Sequence, residues 1–151
     1  MKIKLDEGTI MPTRAHPYDA GLDLYTPKDV TIPGCKYLTA PRRGYGKAYC
    51  GSRTVDTGVC FQIPEGYVGY IKSKSGLLAK HGLFTDGTID AHYTGTVRVT
   101  IFNTKPSDYI FKAGEKIAQL VIQPCLLPEL EVVDELEETD RGEGGFGSTG
   151  K

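Results

Sequence analysis

The stretch RGEGGFGSTGK, residues 141–151, concentrates groups that could handle a phosphorylated ligand. Gly142, Gly144, Gly145, Gly147 and Gly150 let the backbone approach a ligand closely and turn its N–H groups toward an anion. Arg141 adds a planar cationic fork suited to phosphate, and Ser148 and Thr149 add hydroxyl donors. Phe146 can stack on a flat base. From Gly145 onward the letters also imitate the phosphate loop GxxxxGK. That device needs a helix directly behind it, and none is expected here. The plain alternative is a solvating glycine tail, which has no use for a single Phe, so the stretch reads as a lid.

Three further clusters carry chemistry. In DAGLDLYT, Asp19 and Asp23 flank a glycine turn that runs into a strand, and in GTIDAHYTG, Asp90 precedes another. Carboxylates at strand ends can orient a water or hold a hydrated divalent cation, although an isolated Asp in a turn more often accepts backbone N–H groups. In KSKSGLLAK, Ser75 and Gly76 open a short helical stretch whose first N–H groups can face an anion. None of these clusters specifies a reaction by itself.

The elements that must position them are short. Nineteen glycines and nine prolines divide the 151 residues and leave no room for long helices. TVRVTIFN alternates, with Val97, Val99 and Ile101 on one face and Thr96, Arg98 and Thr100 on the other. VCFQI, YVGYIKS and KIAQLVIQ read as strands in the same way, and ELEVVDEL as another short one. SGLLAKHG, residues 75–82, is the one helix expected. Short strands between turn signals give an all-β sandwich or barrel.

A net charge of −1 gives no global signal for nucleic acid. No segment has the apolar length of a membrane span or a signal peptide, so a soluble cytoplasmic protein is expected. Cys35, Cys50, Cys60 and Cys125 lack metal-site spacing and read as reduced thiols, with a Cys35–Cys50 bridge as the alternative. Residues 36–53 carry Lys36, Arg42, Arg43, Lys47 and Arg53 among Tyr37, Tyr45 and Tyr49, with no acid. They read as a solvated hairpin or as a loop for a protein partner. DELEETD, residues 134–140, reads as a solvated linker to the glycine-rich tail.

Taken in order, AGLDLYTP (residues 20–27), SKSGLLAKHG (73–82), GTIDAHYTG (87–95), GEKIAQLVI (114–122) and RGEGGFGSTG (141–150) resemble the five motifs of the trimeric deoxyuridine triphosphatases, or dUTPases. The resemblance runs from the first strand to the tail. It implies a jelly-roll-type β-barrel over residues 1–133, with 36–53 inserted, and a flexible C-terminal arm over 134–151. It further implies a homotrimer with shared active sites, and Mg²⁺-assisted hydrolysis of dUTP to dUMP and pyrophosphate. Asp90 matches the residue that activates the attacking water, and Asp23 the one that reaches the metal through water. Lys74, Ser75, Gly76, Lys116 and Gln119 match phosphate-side positions. Tyr93 matches the ring beneath the deoxyribose, and the backbone around Gly87 and Ile89 the partner of uracil. Arg141, Phe146, Gly147, Ser148 and Thr149 match the closing arm.

The chain departs from that pattern at several places. Lys74 and Lys116 stand where Arg is common, which keeps charge but loses the fork. His92 stands where Asp or Gly is usual, and Thr94 and Thr96 replace frequent Arg and Glu. The related dCTP deaminases carry a catalytic Glu where this chain has Thr100, which disfavours deamination. A dUTPase-like prophage regulatory protein that binds a partner through residues 36–53 is the other alternative.

Overall fold

The computed structural model describes residues 1–38 and 47–144. Strands form where the sequence alternates. β10 (Thr96–Asn103) buries Val97, Val99, Ile101 and Asn103 and turns Arg98 and Phe102 outward, the period of two that a half-buried strand requires. With β1 (Lys2–Leu5), β6 (Gly51–Gln62) and β8 (Leu83–Phe84) it makes one sheet in the order β1-β6-β10-β8. The second sheet runs β2-β12-β7-β9, from β2 (Gly21–Tyr25), β12 (Lys116–Pro124), β7 (Tyr67–Lys72) and β9 (Asp86–Ile89). β3 (Val30–Ile32) pairs with β11 (Tyr109–Phe111), and β4 (Lys36–Leu38) with β5 (Lys47–Tyr49).

Val55, Val59, Phe61, Val97, Val99 and Ile101 from the first sheet meet Leu24, Ile71, Ala118 and Leu120 from the second, with Ile32 and Phe111 in the same core. Burying each of the larger side chains stabilises the fold by about 1.5–3 kcal/mol. Strand neighbours far apart in sequence make the chain cross between layers, as in a jelly roll. The all-β jelly-roll architecture expected from the sequence is therefore present, although its sheets are not closed into a barrel.

The expected helix is α1 (Ser75–His81), which ends where Gly82 turns left-handed at φ 66° and donates its N–H to the carbonyls of Leu77 and Leu78. No helix among the described residues is long and apolar enough to cross a membrane. Of residues 36–53, the first part forms the β4–β5 hairpin, while Gly51, Ser52 and Arg53 already pair with β10.

One expected strand is missing. ELEVVDEL, residues 129–136, has neither strand nor helix, and Leu130, Val132 and Leu136 are almost fully exposed. A strand needs a ladder partner as well as a pattern, and none of the described residues pairs with this segment.

Candidate active site

A β-bulge builds the centre of the site. Lys116 pairs with Tyr25 and Ala118 with Leu24, so the register slips by one residue at Ile117. Without the slip, Lys116 and Gln119, three apart, would point to opposite faces of β12. With it, Ile117 and Ala118 are both buried, and Lys116 and Gln119 share the face that carries Asp23. Gln119 pairs with Asp23 on one side and Lys72 on the other, which sets Asp23 across β12 from the strand leading to Lys74.

Asp23 is only 4% exposed, and each of its oxygens accepts a lysine: Oδ1 from Lys74 Nζ and Oδ2 from Lys116 Nζ at 2.6 Å. Burial alone would raise the Asp23 pKa, but the two hydrogen bonds and the two positive charges outweigh it and hold it below the usual carboxylate range. The bond to Asp23 pushes Lys116 above its ordinary value. The Lys–Asp–Lys cluster therefore carries a net positive charge at neutral pH.

Two depressions adjoin this cluster and share Lys74 and Gln119 as a common wall. One, of about 370 Å³, is lined by Ser75, Gly76, Lys80, His81 and Lys116 among others. The other, of about 280 Å³, is lined by Asp19, Gly21 and Asp23. Gln119 Nε2 donates to the Ser73 carbonyl at 3.2 Å, which fixes the wall. Lys74 precedes the first turn of α1 and makes no side-chain cap there, so the amides of Ser75 and Gly76 remain open to a ligand. A depression of about 760 Å³ lies elsewhere, with Asp6, Asp29, Lys28 and Arg53 in its wall. It contains none of the candidate catalytic, phosphate-side or metal-side residues.

The Asp90 segment is a tight turn. Tyr93 N–H donates to the Asp90 carbonyl at 3.2 Å, and His92, at its third position, has φ 68°. That conformation suits Gly or Asn and strains other residues. Asp90 and Tyr93 are exposed. Tyr93 Oη donates to the Thr96 carbonyl at 3.0 Å, and the ring lies so close to Gly95 that a Cβ there would fall 2.6 Å from Oη. Any side chain at position 95 would displace Tyr93. His92→Gly should stabilise the fold by up to about 1 kcal/mol, because the side-chain contact it gives up, with Glu65, is solvent-exposed on both sides. Urea unfolding of the two proteins checks this; a less stable variant would mean that His92 makes a contact worth more than its strain.

Gly87 and Ile89 lie on β9, an edge strand of its sheet, so one side of its backbone is free to pair with a flat heterocycle. Arg141 Nε donates to the Gly144 carbonyl at 2.9 Å, closing a turn at the start of the glycine-rich stretch. Phe146, Gly147, Ser148 and Thr149 lie outside the described residues.

One chain does not bring all of these residues together. Ile89 pairs with Gly69 and Asp86 with Lys72, so Asp90 sits beside the start of β7 while Lys74 lies past its end. At the usual rise per residue that is a separation of about 20 Å. Sequence reasoning also passed over Lys80 and His81, which their place in the last turn of α1 brings to the depression.

Among the described residues no three His, Cys, Asp or Glu side chains converge on a metal-sized point. The donor set excludes an all-protein cage there; it would suit a hydrated Mg²⁺ carried by phosphates, which Asp23 could meet through water. Each Asp23 oxygen accepts one lysine and retains lone-pair capacity for that water.

The dUTPase family model matches residues 7–150. The chain belongs to the dUTPase family. The deoxyuridine 5'-triphosphate nucleotidohydrolase of Corynebacterium jeikeium is 44% identical, over 98% of this chain and 90% of its own length. That of Syntrophotalea carbinolica is 40% identical, over 99% and 96%. Among solved structures, a Staphylococcus bacteriophage 80alpha dUTPase variant with dUpNHpp superposes with a TM-score of 0.82 at 32% identity, covering 99% of this chain and 98% of that one. A phage phi11 dUTPase variant from S. aureus, whose structure details the coordination of a structural Mg(II) ion, gives 0.74 at 29% identity, covering 91% and 98%.

Proposed function

We propose that this chain hydrolyses dUTP to dUMP and pyrophosphate, assisted by Mg²⁺, as a cytoplasmic homotrimer whose active sites are shared between subunits. The observation that carries the shared site is the separation of Asp90 from Lys74, Ser75 and Gln119 along β7 and β9. A single site containing both groups needs the Asp90 end of one copy beside the Lys74 end of another. The apolar residues exposed after β12, among them Leu126, Leu130 and Val132, support an arm (residues 134–151) that leaves its own domain (1–133) and packs on a neighbour.

In this reading the net positive Lys74–Asp23–Lys116 cluster, the Ser75 and Gly76 amides and Gln119 hold the triphosphate. Mg²⁺ on the phosphates would neutralise part of their charge, with Asp23 in contact through water. Uracil pairs with the backbone at Gly87 and Ile89, and Tyr93 lies under the deoxyribose. The Asp90 carboxylate takes the proton of a water whose oxygen bonds to the α-phosphorus. The bond from that phosphorus to the bridging oxygen breaks, and pyrophosphate leaves. Arg141, Phe146, Gly147, Ser148 and Thr149 close over the ligand and exclude bulk water.

A panel of dUTP, dTTP, dCTP and UTP tests this reading through pyrophosphate release. Turnover should be confined to dUTP, and no dUTP turnover at micromolar enzyme would overturn it. Thr100, at the deaminase Glu position, bonds the Thr54 hydroxyl at 2.9 Å and offers no carboxylate, so dCTP should remain intact. Removal of residues 141–151 should leave a folded trimer with kcat/KM lowered by a factor on the order of 10² or more. Full activity without them would reduce the arm to a linker.

A second role, binding of a protein partner, is favoured by the β4–β5 hairpin. It pairs with no other strand of the described chain, and the segment is basic and tyrosine-rich. Removing residues 37–48 spares the β6 register and should leave dUTP hydrolysis intact while abolishing any such binding.

A further inference from the structure

The hairpin also has a chemical feature at its base. Lys36 pairs with Tyr49, so continuing the antiparallel ladder by one residue places Cys35 directly opposite Cys50. The Cys35 N–H is directed away, to the Lys105 carbonyl at 2.7 Å. Cys35 and Cys50 therefore form a pair of the non-hydrogen-bonded kind, in which opposed Cα atoms lie about 4.5 Å apart and side chains are closest. That spacing falls within the range a disulfide spans, roughly 4.4–6.8 Å.

The side chains agree with the register. Both cysteines are free thiols in this structure. Burial first, and then the neighbouring Cys50 sulfur, push the Cys35 thiol above its ordinary value. The pair is asymmetric: Cys35 is buried and Cys50 is exposed. Neither residue belongs to the nucleotide site.

We infer that Cys35 and Cys50 are a reversible dithiol–disulfide pair that pins the base of the β4–β5 hairpin under oxidising conditions. The oxidant is a low-molecular-weight disulfide such as oxidised glutathione. The exposed Cys50 thiolate attacks one of its sulfurs, forming a mixed disulfide and releasing one thiolate. The Cys35 thiol then loses its proton, its sulfur attacks the Cys50 sulfur, and the second thiolate leaves. In sum, two protein thiols and one disulfide become one protein disulfide and two small thiols. The new bond closes a loop around residues 36–49, the segment proposed for partner binding, and ties the paired strands β4 and β5 together at their base. A pair that opens and closes in this way suits a protein in a reducing compartment, where disulfides are transient.

The test uses the full-length chain, incubated with oxidised glutathione or with dithiothreitol, alkylated, and digested without reduction. After oxidation, mass spectrometry should find the Cys35 and Cys50 peptides linked, with Cys60 and Cys125 alkylated, and dithiothreitol should reverse the link. Amide exchange in β4 and β5 should slow on oxidation, and the exposed change Cys50→Ser should abolish both effects. A stable glutathione adduct on Cys50 with Cys35 alkylated would overturn the proposal. So would pairing of either residue with Cys60, Cys125 or a second chain. A linked pair with unchanged hairpin exchange would overturn the pinning.

Discussion

Two variants that are each inactive should regain dUTP hydrolysis when their subunits are mixed. Asp90→Asn preserves the shape of the turn but removes the proton acceptor, so kcat should fall by a factor on the order of 10²–10⁴ with nucleotide affinity retained. Lys74→Ala removes one of the two cations from the phosphate side and should cost a factor of about 10² or more in kcat/KM. The lesions lie at opposite ends of β7 and β9. If a site takes its Asp90 from one copy and its Lys74 from another, co-refolding equal amounts gives some sites with both halves intact, about one in four by random assembly. Activity well above that of either parent is the expected outcome, with trimer mass confirmed by sedimentation. A mixture no more active than its parents would place the whole site within one chain. An active Asp90→Asn parent would remove Asp90 from the mechanism before any mixing.

That experiment is needed because sequence order shows which residues form motifs but not which copies meet. What the chain does reveal is local. The alternation of β10 and the stretch from Ser75 to Gly82 are legible because a period of two and a left-handed cap leave a mark on neighbouring residues. The bulge at Ile117 leaves none. KIAQL contains no Gly or Pro, yet the slip between Lys116 and Ala118 decides which side chains face the site. The resemblance assigned Lys74 and Lys116 to phosphate and Asp23 to metal; packing shows the three as one ion-paired cluster. ELEVVDEL fails differently, since its pattern is that of a strand while no described strand pairs with it. A Cys35–Cys50 bridge is only an alternative in the sequence, and it takes the hairpin register to set the two residues opposite each other.

Because Asp23 anchors two lysines, its replacement should affect stability as much as catalysis. Asp23→Asn keeps the shape but removes a nearly buried negative charge, leaving Lys74 and Lys116 to repel each other. Breaking a fully buried pair costs about 3–5 kcal/mol; the lysine side chains are 27% and 40% exposed, so about 2 kcal/mol is the reasonable expectation once solvent screening is allowed for. The pH dependence has a definite sign. The folded-state pKa of Asp23 is depressed, so its contribution is fully present above the unfolded value, near 3.9, and is lost as pH falls through the lower folded value. Lys116 is raised, so its contribution is present below the unfolded lysine value, near 10.4, and is lost as pH rises through the folded one. The stability gap between the parent and Asp23→Asn should therefore be flat from about pH 5 to 9 and close toward acid below about pH 4. Urea denaturation across pH measures it. A gap that persists unchanged at pH 2 would mean that Asp23 stabilises the fold by shape and hydrogen bonding, with its charge contributing nothing.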